Sequence, residues 1–559
     1  MSDLTPPAEP VGQPPAPPAA ELPAPPAEKP RGARIVLLAA IVVGILFVGG
    51  AAAAFFSLRG APEEILDKVP ASADLVVVAH LDPAASQKMN LFRMAERFPA
   101  LGSREELTRQ LNEMLDQALR GSGLTHEDLA WVGGEAGLYV DLGGGSPSYA
   151  VMLASDDDAA ASAALKKAQT AGGTTYSATQ IGGFDVSVPA SPDQPATAMV
   201  NGVVVLAGDV NAMRSVIDTV NGGASIEDDA TYLAVADDLP EDNLGMAYVN
   251  TGQLSELLAS IPGAAGLSTD PRQLGATRAV GMSVSATSEG LSFDVASQND
   301  PSRLTQADRD ALAATDGPNP LLDMVPSDAY AVTAMSGATA QFEKSVEQLS
   351  QLDPGTARQI EKLHLLGPGG LLPQLTGDVA IQVGQGQGLL PVSGTVMVGV
   401  ADAGAVEDWL NAHLPKVLAS TDLGGLTWNT EDYNGTTIYY TDPFSGSVPL
   451  AWGVTADAWV LGLSTSSVEQ AVDLVAGTGE TIGSNPAYQT AVAQLPGTES
   501  VVYVDVQGIL STAQGILPDG AYQQFLDEGG SNLEPITVLA AGGESDEQGS
   551  RSTLLIGIP

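Results

Sequence analysis

The chain has no cysteine among its 559 residues, which excludes disulfides, thiol catalysis and cysteine-ligated zinc. Basic residues are scarce: 23 Lys and Arg stand against 67 Asp and Glu, for a formal charge of −44. A surface of that sign repels phosphate backbones and anionic headgroups, so nucleic acid and anionic lipid are disfavoured as partners, while basic ligands and divalent cations stay open. The four histidines, His80, His126, His364 and His413, are scattered, and none has a second histidine at the i,i+4 spacing of a helical zinc site. No Gly-x-Ser-x-Gly elbow, no P-loop and no complete Ser-x-x-Lys set occurs. Nucleophilic hydrolases and nucleotide-driven enzymes therefore lack their anchor residues, and no catalytic or cofactor-binding residue is assigned.

What is present begins with a tail. Residues 1–34 are dominated by Pro and Ala, as in Pro14-Pro15-Ala16-Pro17-Pro18, and cannot bury enough apolar surface to offset chain entropy. From Ile35 to Leu58 no residue is charged. A helix of that length rises about 36 Å, enough to cross a hydrocarbon core of about 30 Å. Lys29, Arg31 and Arg34 precede the run, whereas Glu63 and Glu64 follow Arg59 closely. The positive-inside bias then keeps the tail in the cytoplasm and exports everything beyond Arg59. A signal peptide normally has a shorter apolar core, so the run is read as an uncleaved single-pass anchor.

The exported part repeats itself at a spacing of roughly 245 to 256 positions. Leu66-Asp67-Lys68-Val69-Pro70 opens one copy and Leu322-Asp323-Met324-Val325-Pro326 the other, each followed by a β-branched strand pattern. A helix is predicted over 103–119, with Ser103 and Glu106 as a capping box. Gly143 to Gly145 and Gly384 to Gly388 are glycine-rich turns between strands, not phosphate cradles, because strand residues follow them instead of a helix bearing Lys or Thr. Gly183 and Gly435 mark two further hairpins. The strongest match pairs Val203 to Val220 with Ala458 to Val475, a strand turning into a helix. Met213, Val216, Ile217 and Val220 fall where Val468, Ala471, Val472 and Val475 do, after N-caps Asp209 and Ser464. Short strands outnumber helices in each copy without strict βαβ alternation. The expected fold is α+β: two tandem copies of a mostly antiparallel sheet with helices packed on one face, after one transmembrane helix. The predicted order is tail 1–34, span 35–58, first repeat 62–300, linker 301–320 and second repeat 321–559.

Val69-Pro70, Phe98-Pro99, Trp131-Val132-Gly133-Gly134-Glu135 and the duplicated strand-helix segment together resemble the bacterial envelope family called domain of unknown function 3352 (DUF3352), over roughly residues 62–559. That family has no established activity or ligand. The resemblance implies a membrane-tethered bacterial protein and adds no site.

Three features invite a binding reading. Asp156-Asp157-Asp158 and Glu227-Asp228-Asp229 are the candidate metal ligands, with calcium the cation such oxygen clusters would take. Neither has the spacing of an EF-hand loop, and acids at a helix start are favoured by the dipole in any case. Trp131, Trp409, Trp428, Trp452 and Trp459, with Tyr433, Tyr439 and Tyr440, enrich the second copy in aromatics, which core packing explains before a sugar-binding face does. The Pro-rich tail fits a spacer. The function expected is a non-enzymatic binding or structural protein of the cell envelope, its partner an envelope protein or cell-wall polymer meeting a surface between the copies. The alternatives are a cell-wall glycan hydrolase using scattered carboxylates and a calcium-stabilised passive spacer.

Overall fold

The structure is a computed structural model that describes residues 64–98, 104–120, 122–143, 147–252, 276–315, 317–352, 355, 360, 363–367, 369–386, 392–419, 427–441 and 449–559. The tail of residues 1–34 and the span of residues 35–58 lie outside the described residues. Within them, no helix is long and apolar enough to cross a membrane.

Valine-rich runs make the centre of the molecule. In Val203-Val204-Val205, Val203 and Val205 enter one hydrophobic cluster and Val204 another on the opposite face, so a strand here is buried on both sides. The first half contributes β1 (Leu75–His80), β2 (Val132–Asp141), β3 (Ser148–Ser155), β4 (Tyr176–Ile181), β5 (Phe184–Pro189), β6 (Ala196–Val200), β7 (Val203–Ala207), β8 (Gly245–Asn250), β9 (Thr277–Ala286) and β10 (Gly290–Asn299). They pair antiparallel in the spatial order 4-5-6-7-3-2-1-8-9-10. The second half contributes β11 (Ala329–Met335), β12 (Leu375–Gln385), β13 (Val392–Val400), β14 (Trp428–Tyr433), β15 (Thr436–Thr441), β16 (Ala451–Val454), β17 (Ala458–Gly462), β18 (Ser500–Asp505), β19 (Val538–Ser545) and β20 (Gly549–Gly557). Their order is 14-15-16-17-13-12-11-18-19-20. Strand β10 pairs with β20, which joins both sets into one antiparallel sheet of 20 strands.

Corresponding contacts recur in the two halves. Tyr232 meets Tyr248 edge-on with ring centres 5.3 Å apart, and Tyr488 meets Tyr503 at 5.2 Å. Isolated bridges join Pro70 to Ser225 and Pro326 to Thr481. The hairpin β4–β5 turns on Gly182-Gly183 and β14–β15 on Asn434-Gly435, all four residues at positive φ, as a two-residue turn matching the strand twist requires.

Helices lie on both faces of the sheet, which corrects the one-face expectation. On the side of the main cores lie α4 (Val210–Val220) and α9 (Thr465–Val475), with Met213, Val216 and Ile217 buried in the former and Val468, Ala471 and Val472 in the latter. Their N-caps are Asp209 and Ser464. On the opposite face α3 (Asp158–Ala171) packs Ala161 and Ala164 over Ala79, Leu153 and Val204, and α8 (Ala403–Ala419) packs Val406, Trp409 and Leu410 near Trp452. The central strands alternate apolar residues on both faces, so one helical layer would leave the other face wet.

Helix α1 (Ala85–Ala95) follows β1, and α2 (Arg104–Ala118) occupies the predicted 103–119 stretch, with Ser103 outside the described residues and Met114 exposed. Helix α5 (Ala230–Ala236) precedes β8. The 301–320 stretch expected as linker carries α6 (Gln306–Ala313), whose Asp308 is bonded by Lys344 of α7 (Ala338–Leu352). Helix α10 (Pro486–Val492) precedes β18, and α11 (Val506–Ile516) with α12 (Asp519–Asp527) precedes β19.

Candidate functional site

A cavity of about 410 Å3 opens where the halves meet, between the ends of β10, β19 and β20. Asp238, Gln298, Glu499, Glu544, Asp546 and Arg551 line it. The Arg551 guanidinium bonds the Glu544 carboxylate through Nε at 3.0 Å and through Nη2, and stands 3.6 Å from Asp238 of the first half. Its hydrogen bond to Glu544 raises its pKa further, burial opposes this, and Glu544, Asp238 and Asp546 add to the rise. Glu499 accepts the Ser545 N–H at 3.1 Å, and Asp546 accepts those of Gln548 and Gly549, closing the turn before β20. Four carboxylates around one guanidinium suit a cationic group better than an anion.

The other end of the same seam is apolar. Met94, Leu244, Ala286 and Ile558 are buried there with Leu91, Phe98 and Leu291. Helix α1 supplies Leu91 and Met94; in the second half helix α7 packs on β12 and α6, and Arg309 of α6 reaches the polar end, 3.3 Å from Glu547.

Two other grooves lie in the second half. One, of about 570 Å3, is lined by Asp328, Tyr433, Glu469, Asp473 and Glu480. Tyr433 donates to Asp473 at 2.9 Å, and the Glu469 carboxyl is pushed up by burial and by the charges of Glu431 and Asp473. The other, about 400 Å3, is an apolar slot between Val383 and Val392 of the sheet and Ile509, Ile516 and Leu517 along α11 and just after it.

The acidic runs proposed from sequence are engaged at helix starts. Asp157 accepts the N–H groups of Ala159 and Ala160, each at 3.0 Å, and Asp158 opens α3. Asp156 bonds the Trp131 carbonyl through its own N–H. Asp228 closes a capping box with Ser225, and Asp229 caps α5 by accepting from Thr231 and Tyr232. Glu227 sits in the same short turn. Among the described residues no group of three or more His, Asp or Glu side chains is arranged to hold a metal ion.

The histidines are less scattered in space than in sequence. His364 and His413 come within 5.5 Å, and His413 stacks on Trp409. His126 bonds Asp116, whose carboxyl the His126 backbone and side-chain hydrogen bonds hold below its ordinary value. His80 lies 3.1 Å from Glu135. Trp452 is buried, stacked on Tyr439 at 4.0 Å and edge-on to Trp428, so these aromatics are packing residues. Sequence reasoning missed Arg551 and Asp238, which meet only through the β10–β20 pairing. It also missed the role of Glu135: its buried Oε2 accepts the N–H groups of Glu64 and Ile65, at 2.6 and 3.1 Å.

The class this architecture defines is a mixed helix-and-sheet protein built on one long antiparallel sheet. The profile of the family described as "Protein of unknown function (DUF3352)" matches residues 32–364, more than half of the chain, and the chain belongs to that family. No curated protein matches it. Among solved structures, crystal form III of TP0453 is similar at 11% identity and a TM-score of 0.24, covering 45% of this chain and 86% of that one. Crystal form IV gives 11% and 0.24, with 43% and 81% covered. Likeness at that level carries nothing over to this chain.

Proposed function

We propose that this is a single-pass membrane protein of the bacterial envelope, with its sheet domain outside the cytoplasmic membrane and a binding or structural role without catalysis. The clamp at the domain's first residues carries the reading. Leu58 ends the apolar run, and a short step later Glu135 fastens Glu64 and Ile65. A sheet tied down so close to the span is held against the membrane surface instead of swinging on a linker. The shared strand order, the Tyr-Tyr pairs and the two isolated bridges support reading the halves as copies of one unit.

The partner is an envelope protein or cell-wall polymer that offers cationic groups to the seam cavity, where carboxylates outnumber the single guanidinium. A photo-crosslinker replacing Gln548 in intact cells tests this: capture of a defined species that is lost on Glu544→Gln supports the reading. Absence of any adduct, or recovery of the protein in the soluble fraction, would sink it.

A second reading has one observation behind it, the raised carboxyl of Glu469 beside Asp473 in an open groove, an arrangement an acid/base pair would use on cell-wall glycan. Release of soluble fragments from purified peptidoglycan, abolished by Glu469→Gln, would favour it over binding alone.

A further inference from the structure

The contact between the halves has a symmetry of its own. Strands β10 and β20 run antiparallel along their whole length, from Gly290 opposite Gly557 to Gln298 opposite Gly549. Asp294 faces Thr553, 259 positions later. Shifting every β10 residue by that interval maps the ladder onto itself: Gly290 becomes Gly549, and Gln298 becomes Gly557. The same shift relates the bonds that close the ladder at either end. Asn299 N–H donates to the Gln548 carbonyl at 2.6 Å and Ile558 N–H to the Glu289 carbonyl at 2.7 Å. It also relates the two closest backbone approaches. A Cβ on Gly290 would lie 1.9 Å from the Ile556 oxygen, and one on Gly549 would lie 1.9 Å from the Ser297 oxygen. A local two-fold axis therefore passes through the Asp294–Thr553 pair, the arrangement of an isologous dimer interface.

On that axis the two members differ. Thr553 Oγ1 donates to Asp294 Oδ1 at 2.6 Å, and Ser292 donates to Oδ2 at 2.8 Å. Two first halves meeting this way would set Asp294 against Asp294, and like charges directly opposite across a ladder are destabilising. Two second halves would set threonine against threonine, a compatible pair.

We propose that the seam is a self-association surface, that β10 fits a second copy of the same unit, and that Asp294 and Thr553 make the pairing heterotypic by placing one carboxylate opposite one hydroxyl. This rests on reading the halves as copies. In the chain as it stands, the tether makes the pairing intramolecular and so raises its effective concentration.

The test uses the full chain in detergent, with a protease site inserted between Arg303 and Leu304 so that α6 stays with the second half, to which Lys344 ties it. After cutting, the halves are expected to remain one species on gel filtration. Thr553→Asp should weaken their association roughly tenfold or more, since a charge-assisted hydrogen bond is lost and a repulsion gained. Asp294→Thr loses the same bond but gains no repulsion, so it should weaken association clearly less than Thr553→Asp does. The swap Asp294→Thr with Thr553→Asp should restore association, because the axis makes the positions interchangeable and Arg551 stands before Thr553 where Ser292 stands before Asp294. Circular dichroism of the uncut variants separates loss of association from loss of fold. Separation of the unchanged halves as folded species would overturn the seam and leave the two-copy reading intact. Halves that stay together while the swap remains as weak as Thr553→Asp would overturn the two-fold equivalence, and the two-copy reading with it.

Discussion

The two halves of the sheet share strand order and differ in what fills equivalent places. Beneath β1 in the first half, Glu135 receives two backbone N–H groups and stands beside His80; the matching position in the second half holds Asp378, which accepts from Ser336 and Thr376. On the outer face Val204 lies under the small Ala161 and Ala164 of α3, whereas the equivalent Trp459 lies with Trp409 and Leu410 of α8. Leu138, Val140 and Val151 are buried in the first half, while Ile381 and Val383 at matching places are 44% and 39% exposed. Alternation and turn chemistry thus hold the shared topology, and the two halves present different groups on it.

The largest effect should separate the halves at the Glu135 position. Glu135→Ala removes a buried acceptor from two N–H groups and is expected to cost about 3 kcal/mol. Asp378→Ala, whose partners are hydroxyls near solvent, should cost about 1 kcal/mol. Thermal melting of both variants checks the ratio, and equal costs would mean that the entry clamp adds nothing beyond an ordinary hydrogen bond.

Acid should act on the second half through α6. Burial works to raise the Asp308 carboxyl, but the Lys344 ammonium and the Thr305 hydroxyl and N–H outweigh it and bring it down to about 2. A carboxyl lower in the folded than in the unfolded chain stabilises above its ordinary value, and that contribution drains away as pH falls from about 4 through 2. With both partners partly exposed, about 1 to 2 kcal/mol is at stake. Asp308→Asn should flatten this part of the melting-temperature profile between pH 4 and 2; an unchanged slope would assign the acid sensitivity to other carboxylates.

Much of this was legible locally. Asp209 and Ser464 stand before helices because a short side-chain oxygen followed by a 3.6-residue apolar period is a signal contained in about ten residues. The seam was not legible, since Asp294 and Thr553 lie 259 positions apart and nothing near either residue encodes the other. The one-face helix expectation failed for a related reason: strands such as Val203–Ala207 carry apolar residues on both faces, and hairpin counting does not register that.

Two buried tyrosines sharpen the contrast at smaller scale. Tyr139 donates to the Ala212 carbonyl at 3.0 Å, whereas the Tyr503 hydroxyl is buried without a hydrogen-bond partner among the described residues. Burial pushes the Tyr503 phenol up to about 12. Tyr139→Phe should destabilise by about 1 kcal/mol, while Tyr503→Phe should be neutral or stabilising. Urea midpoints would decide it, and matching losses would contradict the difference in satisfaction.

The smallest expected effect addresses calcium. Asp229 caps α5 through Thr231 and Tyr232, and Asn485 caps α10 in the corresponding place through Ala487 and Tyr488, so the second half already shows that an amide does this work. Asp229→Asn keeps both bonds while deleting the charge, and should change stability by less than about 0.5 kcal/mol. As a cap, the residue gives the same melting temperature with and without millimolar calcium at fixed ionic strength, before and after substitution. A calcium-dependent rise that disappears in the variant would instead make Glu227-Asp228-Asp229 a ligand set, because the cap has been preserved and only the carboxylate is gone.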